Sequence, residues 1–325
     1  MANIVKEVAY EKIYLTRICR NHSPGRLLPA GKRPAQARSQ RRRQRNRQHR
    51  RQGTHPAEPK RIVFLNASNL EIFASIGGKA VGRPTSTSYP NDIKESIKDI
   101  PEVGMIHAPN LEKIMSLKPD LVVGTNVPFH VMLRKPLEMA GVPLYLNMIN
   151  SYEDVLKSID DFGCFAGRDK EAAVKRAQIE KEYAALTQDV QKGRGPKVLI
   201  IFGSPDSFNM STKKSFGGDL AERLGAVNIA DKAENVKDSS YIPLSMEFVA
   251  KENPDIVMLI TMGGSKEILE KLRANMRDNA IWHDVNAVKN NRVYQLPPSL
   301  FTVNPGTHTI DAMKIMKEYM YGEAK

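Results

Sequence analysis

The sequence predicts an α/β protein of two lobes joined by one long helix. Strand-like and helix-like segments alternate on both sides of residues 168–192, and that segment itself shows helical periodicity. One sequence pattern also occurs in both halves, at 111–123 and at 246–258. Alternation of this kind is typical of largely parallel sheets whose faces are covered by helices.

The segment 168–192 predicts the connecting helix and carries signals at both ends. Gly167 precedes it, Asp169 and Glu171 lie in its first turn, and Gly193 follows it, as the helix dipole and the usual stop signals favour. At about 1.5 Å per residue the helix would be roughly 35 Å long, the width of a small domain. We interpret it as a rigid connection between the lobes. One long surface helix on a single domain is the alternative.

The first lobe is predicted at 60–167, from the point where the pattern becomes regular. Gly77 and Gly78 end its first helix, and a loop, a helix and a strand follow within 101–126. The other elements are predicted from apolar runs and helical periodicity, with strands at 61–66 and 143–148 and helices at 68–76, 128–140 and 151–162.

The second lobe is predicted at 193–325 on the same grounds. Its polar segments, one from Ser204 to Ser207 and one that ends at Tyr241, are predicted to be loops. The remaining elements are strands at 197–202, 227–230, 255–260 and 292–296 and helices at 216–224, 245–252, 265–275 and 309–320.

The net charge of +13 belongs to the start of the chain and not to the lobes. Residues 1–59 hold 15 of the 49 Lys and Arg and 3 of the 36 Asp and Glu, which leaves 34 basic and 33 acidic residues elsewhere. The run RRRQRNRQHRRQ at 41–52 predicts a disordered tail that binds polyanions. The alternative is that a GC-rich linker is read out of frame, which would also explain why residues 1–19 show no export signal.

Several classes of protein are disfavoured by what the sequence lacks. Cys19 and Cys164 match no metal or redox spacing and are too few for a disulfide framework. The apolar runs are too short to span a bilayer. There is no phosphate-binding loop, dinucleotide fingerprint, zinc-protease motif or nucleophile elbow. We therefore expect a binding protein and no enzyme.

The repeated pattern favours two lobes that are related by pseudo-symmetry. Two ordinary helix–loop–strand units are the alternative, because Pro-Asp is common in turns. The matching residues are Glu112, Pro119 and Asp120 in the first half and Glu247, Pro254 and Asp255 in the second. Ligands of open α/β sheets bind beyond the carboxyl ends of strands, so a shared cleft is expected there. The strand-end residues expected to line it are Thr125, Asn126, Thr261 and Met262.

Five segments together resemble the helical-backbone (class III) substrate-binding proteins of ABC importers for iron, siderophores, haem and cobalamin. These segments are 99–110, 111–123, 217–229, 252–258 and 282–297. Within this group the chain is most similar to the haem-receptor lipoproteins of the iron-regulated surface determinant system. The resemblance covers about 60–325 and implies two Rossmann-like lobes, one long backbone helix and a ligand cleft between the lobes.

The resemblance also implies that haem iron is held by one Met and one His, one from each lobe. The family's first-lobe Met lies in a G-x-x-Met-x-P-N motif, which here reads GMIHAPN at 104–110 and carries His107. The second-lobe His follows the D-I-V strand, where Met262 stands. We expect these two residues as axial ligands, exchanged between the lobes, because imidazole and thioether suit low-spin haem iron. Further residues expected at the cleft are Tyr89, Met105 and Tyr241.

The family docks on arginines of its membrane permease through one Glu on each lobe, and Glu112 and Glu247 match those positions. A solvated Glu at a helix start is the alternative for both. The resemblance thus implies a monomeric, extracytoplasmic haem receptor, membrane-anchored or periplasmic, whose partners are haem and an ABC permease. The alternatives are a ferric siderophore, a corrinoid or molybdate as ligand, a metal-chelatase-type enzyme, and nucleic-acid binding through 41–51 alone.

Overall fold

The computed structural model describes residues 59–86, 89–233, 238–301 and 305–322. The tail predicted at 1–59, with both interpretations of its origin, lies outside the described residues except for Pro59. In the described part of the chain, no helix is both long and apolar enough to cross a membrane.

Within the described residues the chain forms eleven strands and thirteen α-helices. The strands are β1 Ile62–Phe64, β2 Gly104–Met105, β3 Ala108–Pro109, β4 Leu121–Gly124, β5 Leu144–Leu146, β6 Lys197–Gly203, β7 Phe208–Ser211, β8 Val227–Asn228, β9 Tyr241–Pro243, β10 Ile256–Thr261 and β11 Val293–Gln295. The helices are α1 Ala67–Ser75, α2 Asn91–Ile97, α3 Leu111–Ser116, α4 Pro128–Val131, α5 Arg134–Met139, α6 Tyr152–Ala166, α7 Asp169–Thr187, α8 Phe216–Arg223, α9 Met246–Glu252, α10 Lys266–Asp278, α11 Asn286–Lys289, α12 Pro298–Phe301 and α13 Thr309–Tyr321.

In the first lobe, β1, β4 and β5 form a parallel sheet in the order β1–β4–β5. Their side chains are mostly buried, which is why these strands read as continuous apolar runs. The helix predicted at 128–140 is instead two short helices, α4 and α5. Pro136 explains the interruption, because it has no N–H to continue the α4 ladder but is tolerated in the first turn of a new helix.

The predicted connecting helix is present as α7, packed against α6. Gly167, with a φ of 64°, ends α6, and the helices approach so closely that a Cβ at Gly163 would lie 2.5 Å from the Cβ of Ala172. The helix ends at Thr187 and not at 192, since the polar residues that follow form turns. Its buried face is narrow: Ala172 and Ile179 are buried, whereas Val174 is 71% exposed.

The second-lobe sheet is mixed, although the sequence predicted largely parallel strands. Its parallel part has the order β11–β10–β6, and β8 also pairs parallel with β6. On the other side of β6, β7 and β9 are antiparallel. The polar segment that predicted a loop is a tight turn, closed by the Ser204 N–H to the Ser207 carbonyl at 2.8 Å. The chain therefore returns at once as β7.

The repeated pattern forms the same joint between helix and strand in both lobes. The Asp120 carboxylate accepts hydrogen bonds from the backbone N–H groups of Lys60 and Arg61, at 2.7 and 2.8 Å. In the second lobe the Asp255 carboxylate accepts from the N–H of Lys197, at 2.9 Å. Each Asp thus satisfies donors at the start of the neighbouring parallel strand.

The backbone of the joint is repeated as well. Lys118 and Asn253, each directly before the Pro, have φ of 47° and 48°. Few residues other than glycine adopt this conformation without a structural reason. Equivalent hydrogen bonds and equivalent backbone conformations support the pseudo-symmetric pair over two unrelated turns.

A buried carboxylate fastens the segment before α13 to the first lobe. Both oxygens of Glu71, on α1, are hydrogen-bonded by Thr307, one by its N–H at 2.9 Å and the other by its hydroxyl. The approach is so close that a Cβ at Gly306, whose φ is 57°, would lie 1.7 Å from Glu71 Oε2. Burial raises the pKa of Glu71 to about 7, and the charge of Asp92 adds to this, while Thr307 and His308 oppose it.

Replacing Glu71 with Gln should make the protein less sensitive to pH. The folded-state pKa of about 7 lies above the ordinary 4.5, so the stabilisation from the protonated form is full below pH 4.5 and is lost as the pH rises towards 7. Gln keeps the neutral geometry. Urea unfolding should therefore show Glu71→Gln more stable than the wild type at about pH 8, by roughly 3 kcal/mol, and similar to it at about pH 4.5. Parallel pH profiles for the two proteins would contradict this assignment.

Candidate functional site

Several residues of the candidate site directly follow the carboxyl ends of parallel strands. Thr125 follows β4, Asn147 follows β5 and Met262 follows β10. The carboxyl edges of open α/β sheets are where ligands bind, because loops from several strands converge there and helix N-termini face them.

A polar cavity of about 170 Å³ lies at this edge of the first-lobe sheet. Its lining residues are Asn66, Ser68, Asn69, Thr125, Asn147, Met148, Ile149 and Asn150. Asn66 caps α1 by accepting from the N–H of Asn69, at 3.0 Å. Asn147 donates to the side chains of Asn69 and Ser158, both at 2.9 Å. The side chains of Asn69 and Asn147 are therefore held in place by hydrogen bonds, so this part of the cavity is preorganised.

The GMIHAPN motif forms the β2–β3 hairpin at the same end of the first lobe. The N–H of Thr85 bonds the Gly104 carbonyl at 2.9 Å, which fastens the hairpin to the edge of the sheet. Gly104 has a φ of 105°, and a Cβ there would lie 2.5 Å from the Ala108 carbonyl oxygen. Glycine at the start of the motif is thus required for the hairpin to close.

The hairpin presents two of the predicted residues to solvent. His107 lies exposed in the turn between β2 and β3, and its ring meets the edge of Phe129, with 6.5 Å between centroids. Met105, which was also expected at the cleft, is 49% exposed. Among the described residues His107 has no hydrogen-bond partner, so its imidazole nitrogens are available to a ligand.

Sequence reasoning missed His130, which lies beneath this hairpin on α4. The side chain is completely buried, and its Nδ1 accepts the N–H of Thr125 at 2.9 Å. Burial lowers the pKa of His130, so the imidazole is neutral at physiological pH. The only sequence signal for His130 was its position in a helix that begins directly after a polar strand end.

In the second lobe, Met262 opens a single 3-10 turn, Met262–Gly264, directly after β10. Its side chain is 47% exposed. A Cβ at Gly264, which has a φ of 67°, would lie 2.8 Å from Pro298 Cβ, so this turn packs closely against α12. Tyr241 is also exposed, on β9, and its ring lies 5.1 Å from that of Phe202.

Three further predicted cleft residues have different environments. Asn126 is exposed, whereas Thr261 is buried at the end of β10. Tyr89 is only 7% exposed, and its hydroxyl donates to the Pro84 carbonyl at 2.7 Å. The structure therefore places Tyr89 in the first-lobe interior and not on a cleft surface, because its polar end is satisfied locally and the guanidinium of Arg83 lies over its ring.

The two predicted docking residues occupy equivalent positions on the surface. Glu112 and Glu247 lie in the first turns of α3 and α9, which are capped by the side chains of Asn110 and Ser245. Both glutamates are exposed, and neither forms an ion pair or a hydrogen bond with the described residues. The joint that repeats in each lobe uses the Asp, the Pro and the residue before it, but not the Glu.

Among the residues that the structure describes, no three His, Cys, Asp or Glu side chains lie together as a metal site. The candidate iron ligands are a single imidazole and a single thioether on separate loops. Haem iron takes up to two axial ligands from a protein, and these two side chains match that number.

The periplasmic binding protein family model matches residues 62–300. The High-affinity heme uptake system protein IsdE of Staphylococcus aureus (strain MRSA252) is 31% identical over 253 residues, which cover 75% of this chain and 82% of that protein.

Solved structures of substrate-binding proteins are also similar to this chain. The ABC transporter substrate-binding protein of Listeria monocytogenes EGD-e superposes with a TM-score of 0.72 at 28% identity, covering 82% of this chain and 100% of that one. Staphylococcus aureus IsdE complexed with heme gives a TM-score of 0.70 at 28% identity, covering 80% and 98%. Staphylococcus aureus SirA complexed with staphyloferrin B shares the fold, with a TM-score of 0.69 at 22% identity, covering 84% and 96%.

Substituting Gly104 with Ala should disturb the hairpin more than an ordinary glycine substitution. Both Gly104→Ala and Gly77→Ala place a side chain at positive φ, but a Cβ at Gly77 meets nothing within 4 Å. We expect roughly 1–3 kcal/mol of destabilisation from the backbone at either position, with an additional loss at Gly104 from the clash with Ala108. Thermal unfolding of the two variants measures the difference, and equal losses would show that the close contact has no cost.

Proposed function

We propose a haem-receptor function for this chain, which belongs to the periplasmic binding protein family. The observation that supports it best is the pair of exposed ligand candidates, His107 on the first-lobe hairpin and Met262 after β10 of the second lobe. Met262 directly follows the carboxyl end of β10, and His107 lies against Phe129 of α4, the helix that follows the carboxyl end of β4. In this proposal the protein captures haem outside the cytoplasm and delivers it to an ABC permease.

The chemistry of the surrounding residues suits a haem. Phe129 beside His107, and Met105 on the same hairpin, offer exposed apolar surface to a porphyrin face. The cavity next to Thr125 is too small for a whole macrocycle, since ligand pockets for such molecules are typically about 300–1,000 Å³. In this proposal only a polar edge of the haem, such as a carboxylate, would reach the cavity. The porphyrin would then lie over the loops.

A ferric siderophore or a corrinoid is the second candidate for the same site. The polar, amide-lined cavity favours it, because siderophores present many oxygen acceptors and donors. Neither ligand needs His107 and Met262 together, so substitutions at these residues separate the two proposals. Turnover of metal into a tetrapyrrole would instead indicate the chelatase alternative.

Haemin added to the purified full-length protein should give a six-coordinate, low-spin absorption spectrum. His107→Ala should weaken binding most, because nitrogen is the stronger ligand to ferric iron. Loss of residues that merely support a ligand already costs roughly 10- to 100-fold in metal affinity, so loss of the ligand itself should cost at least as much. Met262→Ala should leave haem bound, five-coordinate or water-ligated, with a lower reduction potential.

Met105→Ala is the matched control, since it removes an exposed thioether from the hairpin that carries His107 and should change the spectrum little. If His107→Ala and Met262→Ala both leave the spectrum unchanged, the ligand pair is wrong. A wild-type protein without any haem spectrum would transfer the proposal to the siderophore or corrinoid.

Glu112→Ala and Glu247→Ala should reduce transport through the cognate permease and leave the affinity for the ligand intact. Charge pairs at such interfaces act mainly through steering and orientation, and each is expected to contribute about 1–2 kcal/mol or more. Transport in proteoliposomes and ligand titration measure the two effects separately. Glu95→Ala, an exposed glutamate on α2, is the control. Loss of ligand binding in either test variant would show that the glutamate belongs to the cleft.

A further inference from the structure

We propose that His130 is a positioning residue that holds the His107 hairpin in its ligand-binding geometry. The inference rests on the proposed haem function, which it deepens by adding a residue that touches no ligand. It is carried by two contacts of one short helix, α4, one to the end of β4 and one to the hairpin.

The first contact fixes the His130 ring. Its Nδ1 accepts the backbone N–H of Thr125 at 2.9 Å, which leaves the proton of the neutral imidazole on Nε2. The ring also packs on the strand itself, because a Cβ at Gly124 would lie only 3.1 Å from His130 Nδ1. The imidazole therefore closes the end of β4, at the point where the polar cavity begins.

The second contact is with the hairpin. Helix α4, which carries His130, packs against β3 of the hairpin, and the His130 ring lies near the backbone of Ile106, the residue before His107. His130 Nε2 makes no hydrogen bond of normal geometry with the described residues. On the same helix, Phe129 meets the His107 ring edge to face. Thus α4 places one aromatic ring under the turn of the hairpin and another beside the ligand.

These contacts link the iron ligand to the sheet. The hairpin is only two residues deep on each strand, so its own ladder leaves the turn weakly supported. Residues that orient a metal-binding histidine from behind usually change affinity when they are lost, although they do not touch the metal. Here the orientation acts through the backbone and through Phe129, since no described residue hydrogen-bonds His107.

The test compares two substitutions of His130, to Asn and to Leu, in the full-length protein. The Asn side chain of His130→Asn can still accept the Thr125 N–H with its Oδ1, whereas His130→Leu fills the space but leaves that donor unpaired. We expect His130→Leu to bind haemin roughly tenfold more weakly or worse, with a larger high-spin fraction. His130→Asn keeps the contact with Thr125 but loses the ring under the hairpin, so it should bind haemin more tightly than His130→Leu and more weakly than the wild type. His283→Leu, at an exposed histidine of the second lobe, is the control and should resemble the wild type.

Two measurements keep the outcome independent of folding and of the haem proposal. Phe129→Leu, at a half-exposed position, should raise the high-spin fraction even if His130→Leu fails to fold. In the ligand-free protein, nitrogen NMR should show the Nε2–H tautomer of His130, and His130→Leu or Phe129→Leu should shift the amide signals of 104–110. If these variants keep the wild-type spectrum, affinity and hairpin signals, His130 is only a core residue. If the wild type gives no haem spectrum, the haem function is wrong. If the hairpin signals are nevertheless altered in the variants, the positioning role of His130 remains supported.

Discussion

In the two larger sheets the central strands run parallel, so these strands end at the same edge and are connected through covering helices. This constraint brings the loops after β4 and β5 together in the first lobe and places the turn after β10 at the equivalent edge of the second. Residues far apart in the sequence, such as Asn69 and Asn147, meet there and hydrogen-bond. The polar cavity is a direct consequence of strand direction.

Parallel strands also leave N–H groups unpaired where each strand begins, and the repeated Pro-Asp units satisfy them. Asp120 and Asp255 each accept from the first residues of the neighbouring strand. The two lobes solve the same problem with the same residues, so the repeat has a structural origin. The preceding glutamates, Glu112 and Glu247, take no part in that solution.

The contacts between the lobes differ in kind from the repeated joint. Glu71 holds Thr307 through a carboxyl group that is buried at an energetic cost, as its raised pKa shows. At the start of α6, the N–H of Tyr152 donates to the Asp219 carboxylate at 2.8 Å, and the guanidinium of Arg223 lies over the Tyr152 ring. Together with α7 these contacts tie the lobes at several points.

The sequence by itself determined the two-lobe α/β fold, the connecting helix and the paired Pro-Asp units, because periodicity, helix end signals and turn residues are local properties. Tertiary structure decided what depends on packing between distant segments. It split the 128–140 helix at Pro136, made the segment after Ser207 an antiparallel strand, and buried Tyr89. It also gave His130 its place under the hairpin, since no local pattern reports that a histidine will accept a hydrogen bond at the end of β4.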